Sequence, residues 1–442
     1  MNFVNGQIIS EEACQSILDT IDDLILETLQ KPPLDINLVI DACDAMVKNI
    51  ASLEITKRLP DLGISPVLAE MYINQVEQMF SAQAIRDRLA AELGTDYNKP
   101  KEMVYLYSGA KAQQVYAPLG VLFHITAGNM EVLPFVSLLE GLLCGNINII
   151  KLPKEEQGIT VSLLEALMKI QPALKAYVYA FDYSSKDLFA IKRLADVSDA
   201  IVVWGGDEAI KAVRTMANPN TRIIEWGHKI SFAYATKAGT NKEKLRKLAL
   251  NICLTNQLFC SSCQGVFLDT DDMDDVYAFC QAFLPVLEEV SKENPFVVDE
   301  GTKLFTSARV TLELYHKEIE ARDTAIKIFK GENCSIIASS DEGLETSVMY
   351  RNIWVKPLRR EKILALRRYK NYLQTAALLC DNEEYESLAD QLVRAGVVKV
   401  SDGFEMSNYA AQEAHDGVFA LRCYLKLVSV QKDLPSRSAM GT

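Results

Sequence analysis

Between residues 119 and 227, short apolar runs alternate with amphipathic stretches, and this alternation restricts the fold more than any other feature. The strand-like runs are 121–125, 148–152, 176–181, 200–204 and 221–225. Helix-like segments at 134–143, 159–170, 186–195 and 208–217 lie between them. Strands that are apolar on both faces and joined by helices predict a parallel sheet covered on both sides. Ligands of such a sheet sit at the carboxyl ends of its strands.

After Trp226-Gly227 a second α/β region begins. Its strands fall near 231–235, 266–268, 335–338, 353–355, 376–380 and 397–400, and its helices near 242–254, 272–291, 310–320 and 383–395. A last strand, 423–430, precedes a polar tail. Residues 10–95 read as helices. Ile17, Leu18, Ile21, Leu24 and Ile25 give the first its period, Pro32-Pro33 ends it, and two more follow at 34–59 and 66–93. The β-rich pairs 104–107 and 113–116 flank Ser108-Gly109-Ala110. They read as a hairpin that closes a sheet locally or pairs with another subunit.

A chain of 442 residues is too long for one core and implies two or three domains. The net charge of −13, with no basic stripe, argues against a nucleic-acid partner. The start, Met1-Asn2-Phe3-Val4-Asn5, lacks the charged region and apolar core of a signal peptide. The apolar stretches 120–126 and 132–143 are interrupted by His124, Asn129 and Glu140, with Glu131 between them, so no membrane span is expected. The ten cysteines lack framework spacing, which reads as free thiols in a reducing cytoplasm.

Chemistry concentrates in Asn256-Gln257-Leu258-Phe259-Cys260-Ser261-Ser262-Cys263-Gln264, where a helix runs into a strand. Cys260 there is either a nucleophile or a small core residue, and its polar neighbours favour the first. Cys260 and Cys263 form a C-x-x-C without the further ligands a zinc site needs. Glu225, at a strand end, is a general base or an ion-paired surface carboxylate. Asn129, after His124-Ile125-Thr126-Ala127-Gly128, is an oxyanion donor or a turn residue. Lys151 ends the strand that follows Gly145-Asn146, and either reaches a ribose or phosphate or faces solvent. Gly205-Gly206 connects a strand to a helix and suits a pyrophosphate. It is not the G-x-G-x-x-G fingerprint.

The order of these signals resembles the aldehyde dehydrogenase superfamily. Within it, the chain looks like the acyl-CoA reductases typified by the fatty acid reductase of bacterial luminescence systems. The residues that carry the resemblance are Leu119-Gly120-Val121, Gly128-Asn129, the run Gly145-Asn146-Ile147-Asn148-Ile149-Ile150-Lys151, Asn256-Gln257 with Cys260-Ser261-Ser262, and His415-Asp416-Gly417. It covers about residues 100–430.

The resemblance implies an α/β, aldehyde dehydrogenase-like fold: two α/β domains with parallel-type sheets plus a β oligomerisation arm. Residues 1–100 would be the helical part of the cofactor domain and 101–118 the arm. Residues 119–227 would bind the nicotinamide cofactor, 228–410 would form the catalytic domain, and 411–442 would return a strand to the arm. It further implies that Cys260 forms an acyl-enzyme, that Asn129 and the Cys260 N–H hold the oxyanion, and that Glu225 occupies the place of the hydrolytic base. Thr126, Lys151, Lys154, Gly205, Gly206 and Gly227 would bind the cofactor, with no metal. Lys154 stands where NAD-preferring members often carry Glu, which points to NADPH, with NADH as second choice. A Glu-x-Phe-Gly-Pro segment is replaced by Asn352-Ile353-Trp354-Val355-Lys356-Pro357.

The implied activity is reduction of a fatty acyl-CoA or acyl-protein to a long-chain aldehyde by a cytoplasmic homo-oligomer, with an acyl-activating or acyltransferase protein as partner. Two alternatives are oxidation of short aldehydes and a non-catalytic acyl-carrying subunit.

Overall fold

The structure is a computed structural model and describes residues 1–53, 56–57, 66–126, 132–154, 158–296, 300–320 and 326–431. The chain forms two compact units. One comprises Met1–Lys57, Ile73–Gly227 and Ala410–Thr442; the other comprises Arg58–Tyr72 and His228–Tyr409.

The first unit contains β1 (Asn2–Val4), β2 (Gln7–Ile9), β3 (Lys101–Val104), β4 (Lys111–Pro118), β5 (Val121–Ile125), β6 (Ile147–Lys151), β7 (Val178–Phe181), β8 (Ala200–Trp204) and β9 (Arg222–Trp226). Its main sheet has the order β2-β1-β7-β6-β5-β8-β9. The five strands β5 to β9 are parallel, as their two-sided apolar pattern predicts. The chain moves outward from β5 through β6 to β7, then crosses back to β8, so the switch point lies between β5 and β8.

The β1–β2 hairpin extends the sheet antiparallel, and sequence reading overlooks it. Its strands are too short to show alternation. The turn between them, Asn5-Gly6, has φ of 51° and 74° and is the pair that marks such hairpins. The segment 34–59 contains a shorter helix, Ile36–Val47. The segment 66–93 is two helices, Pro66–Phe80 and Ala82–Leu93. Ser81 starts the second by accepting from Ala84 N at 3.3 Å.

His124, which interrupts the apolar run of β5, is fully buried. Its Nδ1 lies 2.8 Å from Ser137 Oγ and its Nε2 lies 3.1 Å from Asn148 Oδ1. The Asn148 amide already donates to Asn146 O at 2.7 Å. Its oxygen therefore accepts, which places the imidazole proton on Nε2. Burial pushes the His124 pKa down from 6.5 to about 4. Nearby, Arg88 binds Glu92 at 2.7 Å and Glu140 at 2.6 Å. Glu92 also accepts from Leu421 N at 2.8 Å, so one buried ion cluster ties the helices Ala82–Leu93 and Leu133–Leu143 to the turn Ala420–Cys423.

The second unit contains β10 (Ile230–Ala235), β11 (Cys263–Leu268), β12 (Ile326–Lys330), β13 (Ser335–Ser339), β14 (Asn352–Pro357), β15 (Leu373–Leu379) and β16 (Lys399–Ser401). The order is β12-β13-β14-β11-β10-β15-β16. Only β12 and β13 pair antiparallel. Gly265 lies opposite Trp354, where an added Cβ would come 2.0 Å from the indole; a side chain has no room there. The helix expected at 310–320 begins earlier, at Glu300.

The chain returns to the first unit with β17 (Leu425–Val430). It pairs antiparallel with β4, which pairs with β3. The hairpin and the last strand form one three-stranded sheet, but its first strand is 101–104, not the expected 104–107, because residues 105–107 belong to the turn.

His124 gives stability a definite pH dependence. The unfolded chain binds a proton near pH 6.5 that the folded chain refuses until about pH 4, so stability is lost as pH falls through that window. The loss attributable to His124 reaches roughly 3 kcal/mol at its acid end. Urea unfolding from pH 7 to pH 4 should show this slope, and His124→Gln should flatten it. An unchanged slope in the variant would count against it.

Candidate active site

The helix Lys242–Thr255 starts at Asn241, whose side chain accepts from Lys244 N at 2.9 Å. It ends at Asn256, and both Asn256 and Gln257 take left-handed conformations, with φ of 46° and 63°. Neither is glycine, so both residues are strained. The pair turns the chain out of the helix and into the loop that carries Cys260. The helix end before this loop is therefore a C-terminus, whose partial charge is negative; it does not lower a thiol pKa as an N-terminus does.

Amide and hydroxyl side chains fix the loop. Gln257 Nε2 donates to Cys263 O and to Ser347 Oγ, each at 3.0 Å. Gln264 Nε2 donates to Gln257 O at 3.0 Å, and its Oε1 accepts from Ser347 N and Oγ at 3.1 and 2.8 Å. Asn251 Oδ1 accepts from Cys263 N at 2.9 Å, and Asn251 Nδ2 donates to Ser407 Oγ at 2.9 Å. From the far side, buried Arg351 donates to Asn256 Oδ1 at 3.2 Å, Ser291 O at 2.9 Å and Asn294 O at 2.6 Å. The polar residues around Cys260, which make the sequence look like a site, are mostly scaffolding.

Cys260 lies at the amino edge of this sheet, just before β11, not at the carboxyl edge. Its neighbours come from the starts of β10 and β15. Ser231 Oγ donates to Cys260 O at 2.7 Å, and Gln374 Nε2 donates to Cys260 Sγ at 3.3 Å. Sequence reading finds neither. The only hint of Gln374 is an amide in an otherwise apolar strand. Of the ten cysteines, only Cys260 and Cys423 are partly exposed. Burial pushes the Cys263 thiol up to about 12 and Cys253 to about 11, so Cys263 is held as an inert thiol. Asn352, which opens the segment Asn352–Pro357, is buried; its amide donates to Met349 O at 2.8 Å and Tyr350 O at 2.9 Å.

The remaining predicted residues belong to the first unit, at the carboxyl ends of adjacent strands. Thr126 follows β5. Its Oγ1 is buried without a hydrogen-bond partner among the described residues. Lys151 ends β6 opposite Ile125 and is buried, while Lys154 is exposed. Gly205 and Gly206 link β8 to the helix Asp207–Met216. An added Cβ at Gly206 would meet nothing within 4 Å. Asp207 and Glu208 occupy the first turn of that helix, so its positive end already faces carboxylates. The glycines offer backbone access more than an anion site.

Gly227 follows β9. Glu225 pairs with Arg214 in two-pronged fashion, Nε to Oε1 at 2.5 Å and Nη2 to Oε2 at 2.6 Å. Of the two sequence readings, this geometry is the ion pair. Asn129 lies outside the described residues. His415 packs on Trp204 and Trp226, with ring centroids 5.2 Å from each, which places the His415-Asp416-Gly417 segment beside the ends of β8 and β9. Among the described residues, no cluster of side chains is arranged to hold a metal. No helix among them is long and apolar enough to cross a membrane.

The family described as acyl-CoA reductase (LuxC) matches residues 32–427. A long-chain acyl-protein thioester reductase of Aliivibrio fischeri is 24% identical over 382 residues, covering 84% of this chain and 76% of that one. One from Vibrio harveyi is 22% identical over 456 residues, covering 97% and 92%. Methylmalonate-semialdehyde dehydrogenase from Oceanimonas doudoroffii superposes with a TM-score of 0.76 at 13% identity, covering 98% of each chain. A Sinorhizobium meliloti structure described as the same type of enzyme, complexed with NAD, gives 0.75 at 13% identity over 98% of each. The fold is aldehyde dehydrogenase-like.

Asn251 is the loop anchor most easily tested. Asn251→Ala leaves the buried Cys263 N–H without its acceptor. It should lower unfolding stability by about 1–3 kcal/mol, read as a lower urea midpoint. A midpoint equal to wild type would show that the loop does not depend on this contact.

Proposed function

The chain belongs to the acyl-CoA reductase (LuxC) family, and from that premise we propose that it reduces a fatty acyl thioester to a fatty aldehyde through an acyl-enzyme on Cys260 with a nicotinamide cofactor. The observation that carries this reading is Cys260 itself: a partly exposed sulfur on a rigid loop, with an amide N–H on the sulfur and a hydroxyl on its carbonyl. The thiolate attacks the thioester carbonyl carbon, a new C–S bond forms, the bond to the donor sulfur breaks, and the donor leaves as a thiolate that takes its proton from solvent. This divides one difficult reduction into two easier steps. The Cys260 N–H and Asn129 are the proposed donors to the oxyanion. When bound, the nicotinamide supplies the hydride that takes the acyl group to the aldehyde level. Cys260 then departs as thiolate and the aldehyde is released.

The residues of the first unit fit such a cofactor. Among the described residues, the buried Thr126 hydroxyl at the switch point has no hydrogen-bond partner, and Gly206 borders open space. Lys151, Gly205 and Gly227 stand at the neighbouring strand ends and complete the proposed set. Lys154, exposed where a carboxylate would select NAD, favours the 2′-phosphate of NADPH over NADH. The relatives' names, acyl-protein thioester reductase, favour an acyl-protein donor delivered by an acyl-activating or acyltransferase partner, with acyl-CoA as a second donor. The sheet of β3, β4 and β17 is proposed as the arm of a homo-oligomer. In domain terms, 119–227 binds the cofactor and 228–410 carries the nucleophile.

The direct test is to mix pure protein with NADPH or NADH and acyl-CoAs of varied length and follow loss of cofactor absorbance. Cys260→Ala should remove acyl labelling and slow hydride consumption by about a thousandfold or more. Turnover at the normal rate in that variant would exclude the mechanism. Glu225, held by Arg214, is proposed as structural in the reductive direction. Glu225→Gln should therefore keep the reduction rate within about threefold; a loss of a hundredfold would make it a proton-transfer group.

A further inference from the structure

The central strand β10 carries an irregularity on each side. Ser231 pairs with Cys263 and Ala233 with Val266, so Gln264 and Gly265 together oppose Phe232. Ile230 pairs with Leu373 and Phe232 with Ala376, so Gln374 and Thr375 together oppose Ser231. Each is a β-bulge, two residues against one, and a bulge re-aims a side chain that regular pleating would send elsewhere. Both lie at the amino edge of the sheet, where Cys260 sits.

The second bulge aims Gln374, which is 1% exposed, at the nucleophile. Its Nε2 donates to Cys260 Sγ at 3.3 Å. Ser231, opposite the bulge, accepts from Thr375 N at 3.1 Å and donates to Cys260 O at 2.7 Å. Gln374 Oε1 lies 3.4 Å from the same hydroxyl. The bulged strand thus holds both the backbone and the sulfur of Cys260. A burial this deep leaves the amide little rotational freedom, so the donor is in place before any acyl group arrives.

We propose that Gln374 is the thiolate-stabilising residue of this enzyme, holding Cys260 Sγ in its reactive ionised form and in its attacking orientation. The proposal rests on the reading of Cys260 as the nucleophile. A neutral amide suits the task. It favours the thiolate over the thiol as any donor does, and it carries no proton of its own to lose across the working range. Among the described residues, Lys229 on the approach to β10 donates to Asn371 O at 2.9 Å, and Arg351 before β14 donates to Ser291, Asn294 and Asn256.

The test is the pH dependence of alkylation by iodoacetamide, in which the Cys260 thiolate displaces iodide, read by mass spectrometry of the Cys260 peptide from the full chain. Gln374→Met removes the donor at similar volume and should raise the midpoint by about one pH unit. Gln374→Glu keeps the shape, sets a carboxylate against the sulfur and should raise it further. Either variant that gives a cooperative unfolding transition supplies the reading. A wild-type midpoint in a folded variant overturns the proposal. Alkylation needs neither cofactor nor acyl donor. A shifted midpoint in a protein that reduces no acyl thioester would sink the reductase reading and leave this one standing.

Discussion

The site depends on a turn that the backbone resists. Asn256 and Gln257 sit in succession in the left-handed region, at a cost on the order of 1–3 kcal/mol each. A single buried hydrogen bond contributes only about 1 kcal/mol net. No one contact can hold the turn, and the structure does not rely on one. Gln257, Gln264 and Ser347 bond one another in a triangle, Cys263 joins Gln257 to Asn251 and so to Ser407, and Arg351 separately holds Asn256. A connected buried network stabilises as a unit, because losing one member strands its partners' polar groups in a medium of low dielectric. The polar loop is therefore rigid, and Cys260 inherits that rigidity.

Much of the fold was legible because burial leaves a mark on composition. Strands β5 to β9 carry apolar residues on both faces, and only a sheet covered on both sides explains that. The amphipathic 186–195 and 208–217 segments say the same from the helix side. Legibility failed where structure depends on a single residue or on register. Ser81 divides a long helical pattern by one side-chain hydrogen bond. The β1–β2 hairpin has three residues a side, fewer than periodicity needs.

The site divided in the same way. Cys260 stood out because amides and hydroxyls crowd around it, yet those groups serve the backbone. Gln374, which does reach the sulfur, sits in the plain run Leu373-Gln374-Thr375-Ala376, and only the bulge against Ser231 brings it there. A bulge is a property of two strands taken together and has no signature in one of them. Glu225 shows the converse: its strand-end position was visible, and Arg214, eleven residues upstream on the preceding helix, was not visible as its partner.

Within its own sheet, each unit carries its candidate residues at a different edge, with consequences for charge. In the first unit the candidate cofactor residues lie at the carboxyl ends of β5, β6, β8 and β9, and after β8 the helix Asp207–Met216 begins with its N–H groups toward that edge. In the second unit the proposed nucleophile, Cys260, precedes β11, behind a helix C-terminus. There the nearby backbone ends are carbonyls, and their partial negative charge opposes a thiolate. An enzyme that places its thiolate behind a helix C-terminus has to find donors outside that helix. Side-chain amides are the donors that a buried, closely packed edge can hold without importing a charge that would itself need a partner. Gln374 on the sulfur and Ser231 on the carbonyl answer that need, which is why an uncharged residue from a strand more than a hundred positions away is assigned to the proposed reactive centre.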